Sequence, residues 1–133
     1  MGTLLGFDFG PRKIGIAVGQ TVTHSASPLE TLRARNHRPD WDGIGRLVAE
    51  WQPEALVVGI PYQMDDKQVD WAPQVHRFMR QLHGRFRLPV HGVDERLTSL
   101  DARSRMGRKA TSHEAVDAMA AKLILETWLS EQQ

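Results

Sequence analysis

Thr3-Leu4-Leu5-Gly6-Phe7-Asp8-Phe9, followed by Gly10-Pro11-Arg12-Lys13 and then Ile14-Gly15-Ile16-Ala17-Val18, sets the architecture of the chain. The first run is apolar on both faces, as expected of a strand at the centre of a sheet. Its Gly-Pro turn is short, so the second run returns beside the first as an antiparallel hairpin. One residue does not belong in a buried strand. Asp8 carries a charge into it, and burying an unpaired carboxylate is very costly unless a cation, a metal or hydrogen bonds receive it.

Downstream of the hairpin the pattern alternates. Ser25 to Arg33 reads as a third strand, with Pro28 marking an edge or a bulge. Asp40 is placed to cap a helix whose apolar face is Trp41, Ile44, Leu47, Val48 and Trp51. Ala55 to Ile60 is a buried strand closed by Pro61, and Tyr62 to Asp70 is polar loop. Trp71, Val75, Phe78, Met79 and Leu82 form the stripe of a second helix that stops near Gly84. Pro89 to Val93 is a fifth strand. Thr98 to Met106 reads as a short helix and Gly107 to Ala110 as a basic loop. Thr111-Ser112-His113-Glu114 is a capping box opening a last helix that runs to about Leu129. The order β-β-β-α-β-α-β-α describes one α/β domain over residues 1–133.

Two further acids share the anomaly of Asp8. The pair Asp94-Glu95 ends the run Leu88 to Val93, and in open α/β sheets ligands collect outside the carboxyl ends of strands. Asp117 shares a helical face with Ala121, Ile124 and Trp128, spaced by four, three and four. Each has a bland reading: a turn aspartate, a salt-bridge partner of Arg96 or Arg103, an acid at the edge of a stripe. Taken together, carboxylates that the fold can converge suit hard divalent cations, and such cations beside a phosphodiester suit nuclease chemistry.

Composition sets bounds. Net charge is +1 and there is no cysteine, which excludes disulfides, thiolate metal sites and a cysteine nucleophile and fits a reducing cytoplasm. No signal-peptide pattern or membrane-length apolar run is present, so a cytoplasmic protein without a membrane partner is expected. Basic residues cluster locally instead, at Arg33, Arg35 and Arg38 and again at Arg96, Arg103, Arg105, Arg108 and Lys109. The histidines show no metal-ligand spacing.

The opening Gly6-Phe7-Asp8-Phe9-Gly10 with Lys13 to Val18 resembles the first motif of the YqgF family, also called RuvX. Val57-Val58-Gly59-Ile60-Pro61, Val93-Asp94-Glu95-Arg96-Leu97-Thr98-Ser99 and Asp117 to Leu125 resemble its three later blocks, in order. The resemblance runs nearly end to end and implies an RNase H-like fold with a five-stranded mixed sheet of order 3-2-1-4-5, its first three strands antiparallel. It further implies a Holliday junction resolvase or pre-16S rRNA nuclease with catalytic and metal-binding Asp8, Glu95 and Asp117. Mg²⁺ or Mn²⁺ is the implied cofactor, and the choice of Glu95 over Asp94 rests on the family pattern.

On this reading Asp8, held by the central strand, is shared between two ions that offset phosphodiester charge and activate water. Arg12, Lys13, Arg96, Arg103, Arg105, Arg108 and Lys109 hold the nucleic-acid backbone without reading bases. The expected partners are pre-rRNA or branched DNA, with ribosomal precursor particles, and the expected state is a monomer or weak homodimer. A non-catalytic ribosome-associated binding protein and an actin-like nucleotide-binding module, which shares an Asp-x-Gly turn, are the competing readings. The latter fold normally needs two such domains, and this chain has room for one.

Overall fold

A computed structural model describes residues 2–36, 38–61, 72–94 and 113–132, the side chains of 113–116 excepted. Its strands are β1 (Thr3–Phe9), β2 (Lys13–Gln20), β3 (Ser25–Arg33), β4 (Ala55–Ile60) and β5 (Val90–Asp94). The helices are α1 (Trp41–Trp51), α2 (Ala72–Phe86) and α3 (His113–Glu131). The polar loop, the short helix and the basic loop expected from the sequence lie outside the described residues, as do the capping-box side chains.

The sheet order is β3-β2-β1-β4-β5. β2 pairs antiparallel with β1 and β3, whereas β4 runs parallel to β1 and β5 runs parallel to β4. This is the order and the antiparallel start that the resemblance implies. Pro28 has the effect expected of it. β3 is an edge strand, and its register against β2 slips between Ile16 and Ala17, so that Ala17 meets Pro28 and Ile16 meets Glu30. The extra residue, Leu29, reverses the side-chain alternation. As a result Ala26 and Leu32, both even-numbered, are buried in different cores.

Those cores lie on the two faces of the sheet. Leu5, Phe7 and Phe9 of β1 join Ile14, Ile16 and Val18 of β2 against Ile44 and Leu47 of α1 and Val75, Phe78 and Leu82 of α2. Phe7 meets Phe78 edge to face, with ring centres 5.7 Å apart. Leu4, Ala17, Val57 and Val93 form the opposite core with Ala121, Ile124, Leu125 and Leu129 of α3.

Local chemistry sets the helix ends. The Asp40 carboxylate accepts a hydrogen bond from the Gly43 N–H at 3.0 Å, the expected N-cap. α2 does not stop near Gly84. It continues two residues to Phe86, whose ring lies 6.4 Å from that of Trp41, and Arg87 takes the left-handed position at φ 55°. The Arg87 N–H closes the last turn onto the His83 carbonyl at 2.9 Å. Packing of Phe86 thus outweighs the conformational preference of an exposed glycine.

Glycines also decide where α3 sits. A Cβ at Gly15 would fall on the backbone carbonyl of Asp117 and lie 2.9 Å from the Ala118 nitrogen. A Cβ at Gly6 would lie 3.1 Å from the Ala121 carbonyl oxygen, and one at Gly19 would lie 3.2 Å from Leu125 Cδ1. Gly6, Gly15 and Gly19 therefore form a track along which the helix backbone approaches the sheet. Replacing Gly15 with Ala forces backbone against backbone, and overpacking of this kind costs about 1–3 kcal/mol. Urea unfolding of Gly15→Ala is expected to show at least that loss, and an unchanged midpoint would contradict the close approach.

Candidate functional site

Asp8 is the penultimate residue of β1. Alternation puts it on the α3 face with Leu4 and Gly6, while Phe7 and Phe9 face the other way. Its cross-strand partner is Gly15, the residue on which the backbone of Asp117 rests. Two acids 109 positions apart in sequence are thereby brought over one pair of central strands, although neither is close to the other in the chain.

Lys13 completes the patch. It has the same strand parity as Gly15 and Ala17, and its ammonium lies 3.1 Å from Asp117 Oδ2. The two side chains are 26% and 24% exposed, so water screens the pair and its contribution is at most about 1 kcal/mol. Oδ2 is itself buried, and the Lys13 ammonium is its only partner among the described residues. A carboxylate oxygen that can accept more than one partner, on a strand pair that also carries the half-buried Asp8, is the kind of hard donor that Mg²⁺ or Mn²⁺ takes. The donor set fits the implied ion.

Of the two acids ending β5, Asp94 stands on the wrong face for this patch. It has the parity of Gly92, where a Cβ would meet Ile60 and Met79 on the α2 side, whereas Val93 between them is in the α3 core. Glu95, Arg96, Arg103, Arg105, Arg108 and Lys109 lie outside the described residues. Among the described residues no three His, Asp or Glu side chains form a metal-binding group. Arg12 is exposed at the tip of the turn between β1 and β2, which is closed by a hydrogen bond from the Gly10 N–H to the Lys13 carbonyl at 3.0 Å. The sequence reading gave Lys13 to phosphate. Its pairing with Asp117 was missed, and the signal for it was the shared parity of Lys13 with Gly15.

Comparison with known proteins bears on the family and the fold. A family model described as RuvX, Holliday junction resolvase, matches residues 2–131. A protein of Nitrosococcus oceani that carries the name pre-16S rRNA nuclease is 49% identical over 133 residues, covering 98% of this chain and 88% of its own. One of Legionella pneumophila with the same name is 46% identical over 136 residues, covering 99% and 98%. Among solved structures, the yeast mitochondrial Holliday junction resolvase superposes with a TM-score of 0.60 at 10% identity, over 97% of this chain and 78% of its own. The RuvC of T. thermophilus in complex with a Holliday junction gives 0.52 at 19% identity, over 98% and 95%. At such identities the likeness is one of fold, and the fold is RNase H-like.

If Asp117 serves a ligand rather than the fold, its charge is dispensable for stability. Asp117→Asn keeps the shape and gives up only the screened ion pair, so its unfolding free energy is expected within about 1 kcal/mol of the parent. A loss of several kcal/mol in urea unfolding would make Asp117 a structural acid.

Proposed function

The chain belongs to the RuvX Holliday junction resolvase family, and we propose that it hydrolyses nucleic-acid phosphodiesters at the patch formed by Asp8 and Asp117. The observation that carries this reading is the packing of the Asp117 backbone on Gly15, the cross-strand partner of Asp8, with Lys13 the only described partner of the buried Asp117 Oδ2. Asp8, Asp117 and Glu95 would hold the divalent ion, Mg²⁺ or Mn²⁺. When bound, the ion supplies Lewis-acid stabilisation of the developing charge and acidifies water. The parity of Asp94 supports Glu95 as the third ligand, since Asp94 belongs to the opposite face.

The chain's own residues do the rest. Asp8 is fixed by its pairing with β2 in the middle of the sheet, so the backbone that carries its carboxylate is held in place. Asp117 is carried by a helix whose far end is locked into the core by Ile124, Leu125 and Leu129. Lys13, paired with Asp117, would offset the repulsion between the two carboxylates. With a cation held at Asp117, the Lys13 ammonium would be available to the scissile phosphate. Arg12 at the turn, with Arg96, Arg103, Arg105, Arg108 and Lys109, would grip the backbone on either side without reading bases.

The names of the relatives favour the 5′ end of pre-16S rRNA as substrate, and the family description favours four-way DNA junctions. Both are phosphodiesters that this site can take. One domain, a cytoplasmic location and contact with ribosomal precursor particles accord with the rRNA reading. A junction requires two cuts, which a monomer meets by pairing on the substrate. No described helix is long and apolar enough to cross a membrane.

Asp8→Asn decides the reading. It removes one charge from a repelling group and keeps the shape, so the variant is expected to fold with unchanged or slightly raised stability. Cleavage of a pre-rRNA 5′ leader and of a four-way junction, with Mg²⁺ or Mn²⁺, is expected to fall at least a hundredfold, on the scale of losing an essential catalytic group. Cleavage at the parent rate would remove Asp8 from the mechanism.

A further inference from the structure

On the face of β1 opposite Asp8 lies a cleft of about 720 Å³, between α2 and the segment that leads into α1. Three arginines, Arg38, Arg77 and Arg85, line it, and among the described residues no carboxylate does. We propose that this cleft is a second nucleic-acid site, which takes the single-stranded flank of the polynucleotide cut at Asp8. That last clause rests on the nuclease reading, whereas binding by the cleft does not.

The arginines are gathered by the fold. Gln74, Arg77, Gln81 and Arg85 are spaced by three, four and four on one face of α2, beside the stripe of Val75, Phe78 and Leu82 that is buried in the core. Arg38 faces them from a turn pinned by paired backbone hydrogen bonds between Arg35 and Arg38, 2.8 and 3.0 Å long. Among the described residues none of the three has an ion-pair partner, whereas Arg46 on the same side of the molecule has Glu30 at 3.2 Å. Like charges collected in a concave wall raise the local positive potential and draw anions to it. Planar guanidinium groups bind phosphate in a fork, with the Gln74 and Gln81 amides as neutral donors between them.

An aromatic wall makes the cleft more than a phosphate site. The Arg85 guanidinium lies 4.3 Å above the centre of the half-buried Trp41 ring. Trp41 stacks on Phe78, with centres 5.5 Å apart and planes 28° apart, and Phe78 lies 4.9 Å from Phe9. Phe78 and Phe9 are buried and back the column, so the exposed Arg85 guanidinium with the rim of Trp41 is the plane that meets a base, and only a single strand presents its base faces. A duplex offers phosphates and groove edges. The column Arg85–Trp41–Phe78–Phe9 ends on the neighbour of Asp8, so both sites are fixed to consecutive residues of one strand. The exposed turn at Pro11 and Arg12 is the ridge between them.

Fluorescence anisotropy with labelled single-stranded DNA and RNA oligonucleotides, without divalent metal, reads binding independently of cleavage. Changing Arg38, Arg77 and Arg85 together to Ala is expected to weaken binding to at least one of these strands roughly tenfold or more. Three lost contacts also lower the slope of log affinity against log salt by about 2. Affinity for a blunt duplex is expected to stay within about twofold. Arg77→Lys with Arg85→Lys keeps the charge and loses the stacking planes, so the slope should persist while affinity falls. Unchanged binding by the triple variant would overturn the proposal, as would displacement of the strand by polyglutamate at equal charge concentration. If the parent cuts no substrate yet the triple variant loses strand binding, the cleft stands and the nuclease reading falls. If the triple variant binds as the parent does while Asp8→Asn abolishes cleavage, the reverse holds.

Discussion

The approach of the α3 backbone to β2 at Gly15 is the constraint on which the rest of the site depends. Any side chain there would meet the Asp117 carbonyl, so the start of α3 would lift from the sheet. The helix is anchored along the remainder of the glycine track by Ala121 and Leu125, both fully buried. The position of the Asp117 carboxylate is therefore set by packing far from it. Stability and chemistry are coupled through one missing Cβ: the contact that lets the core close is the same one that carries an acid over the partner strand of Asp8.

The central strand divides its work between its faces. On one, Asp8 lies across from Gly15, on which the backbone of Asp117, the partner of Lys13, rests. On the other, Phe9 joins Phe78 and Trp41 beneath three arginines whose charges nothing among the described residues offsets. Alternation along a β-strand places adjacent residues on opposite sides, so one short element carries an acid toward α3 and an aromatic ring toward the arginine cleft. The near-neutral sum of charges hides this separation, which is why net charge alone says little about partners here.

Much of the fold was legible in the sequence because β1, β2 and β4 are apolar on both faces and are bounded by Gly-Pro, Pro and polar signals. The strand limits Thr3 to Phe9, Ser25 to Arg33 and Ala55 to Ile60 hold, as does the Asp40 cap. The end of α2 did not, because the packing of Phe86 against Trp41 is a tertiary contact that the chain does not announce locally. Asp8 and Asp117 were legible as acids on apolar positions. Lys13 was assigned to phosphate because the identity of its partner depends on where α3 crosses the sheet. The arginine cleft was half visible: Arg77 and Arg85 share a helical face in the sequence, but only the fold brings Arg38 and Trp41 to them.

The central claim is that Asp8 and Asp117 act on one cation together. Mn²⁺ titration followed by electron paramagnetic resonance, on the parent, Asp8→Asn, Asp117→Asn and the double variant, tests it directly. A shared ion predicts that each single change removes most of the affinity and that the double change removes little more, because either acid alone holds the ion poorly. Independent, additive losses, or a parent-like affinity in either single variant, would contradict a common site.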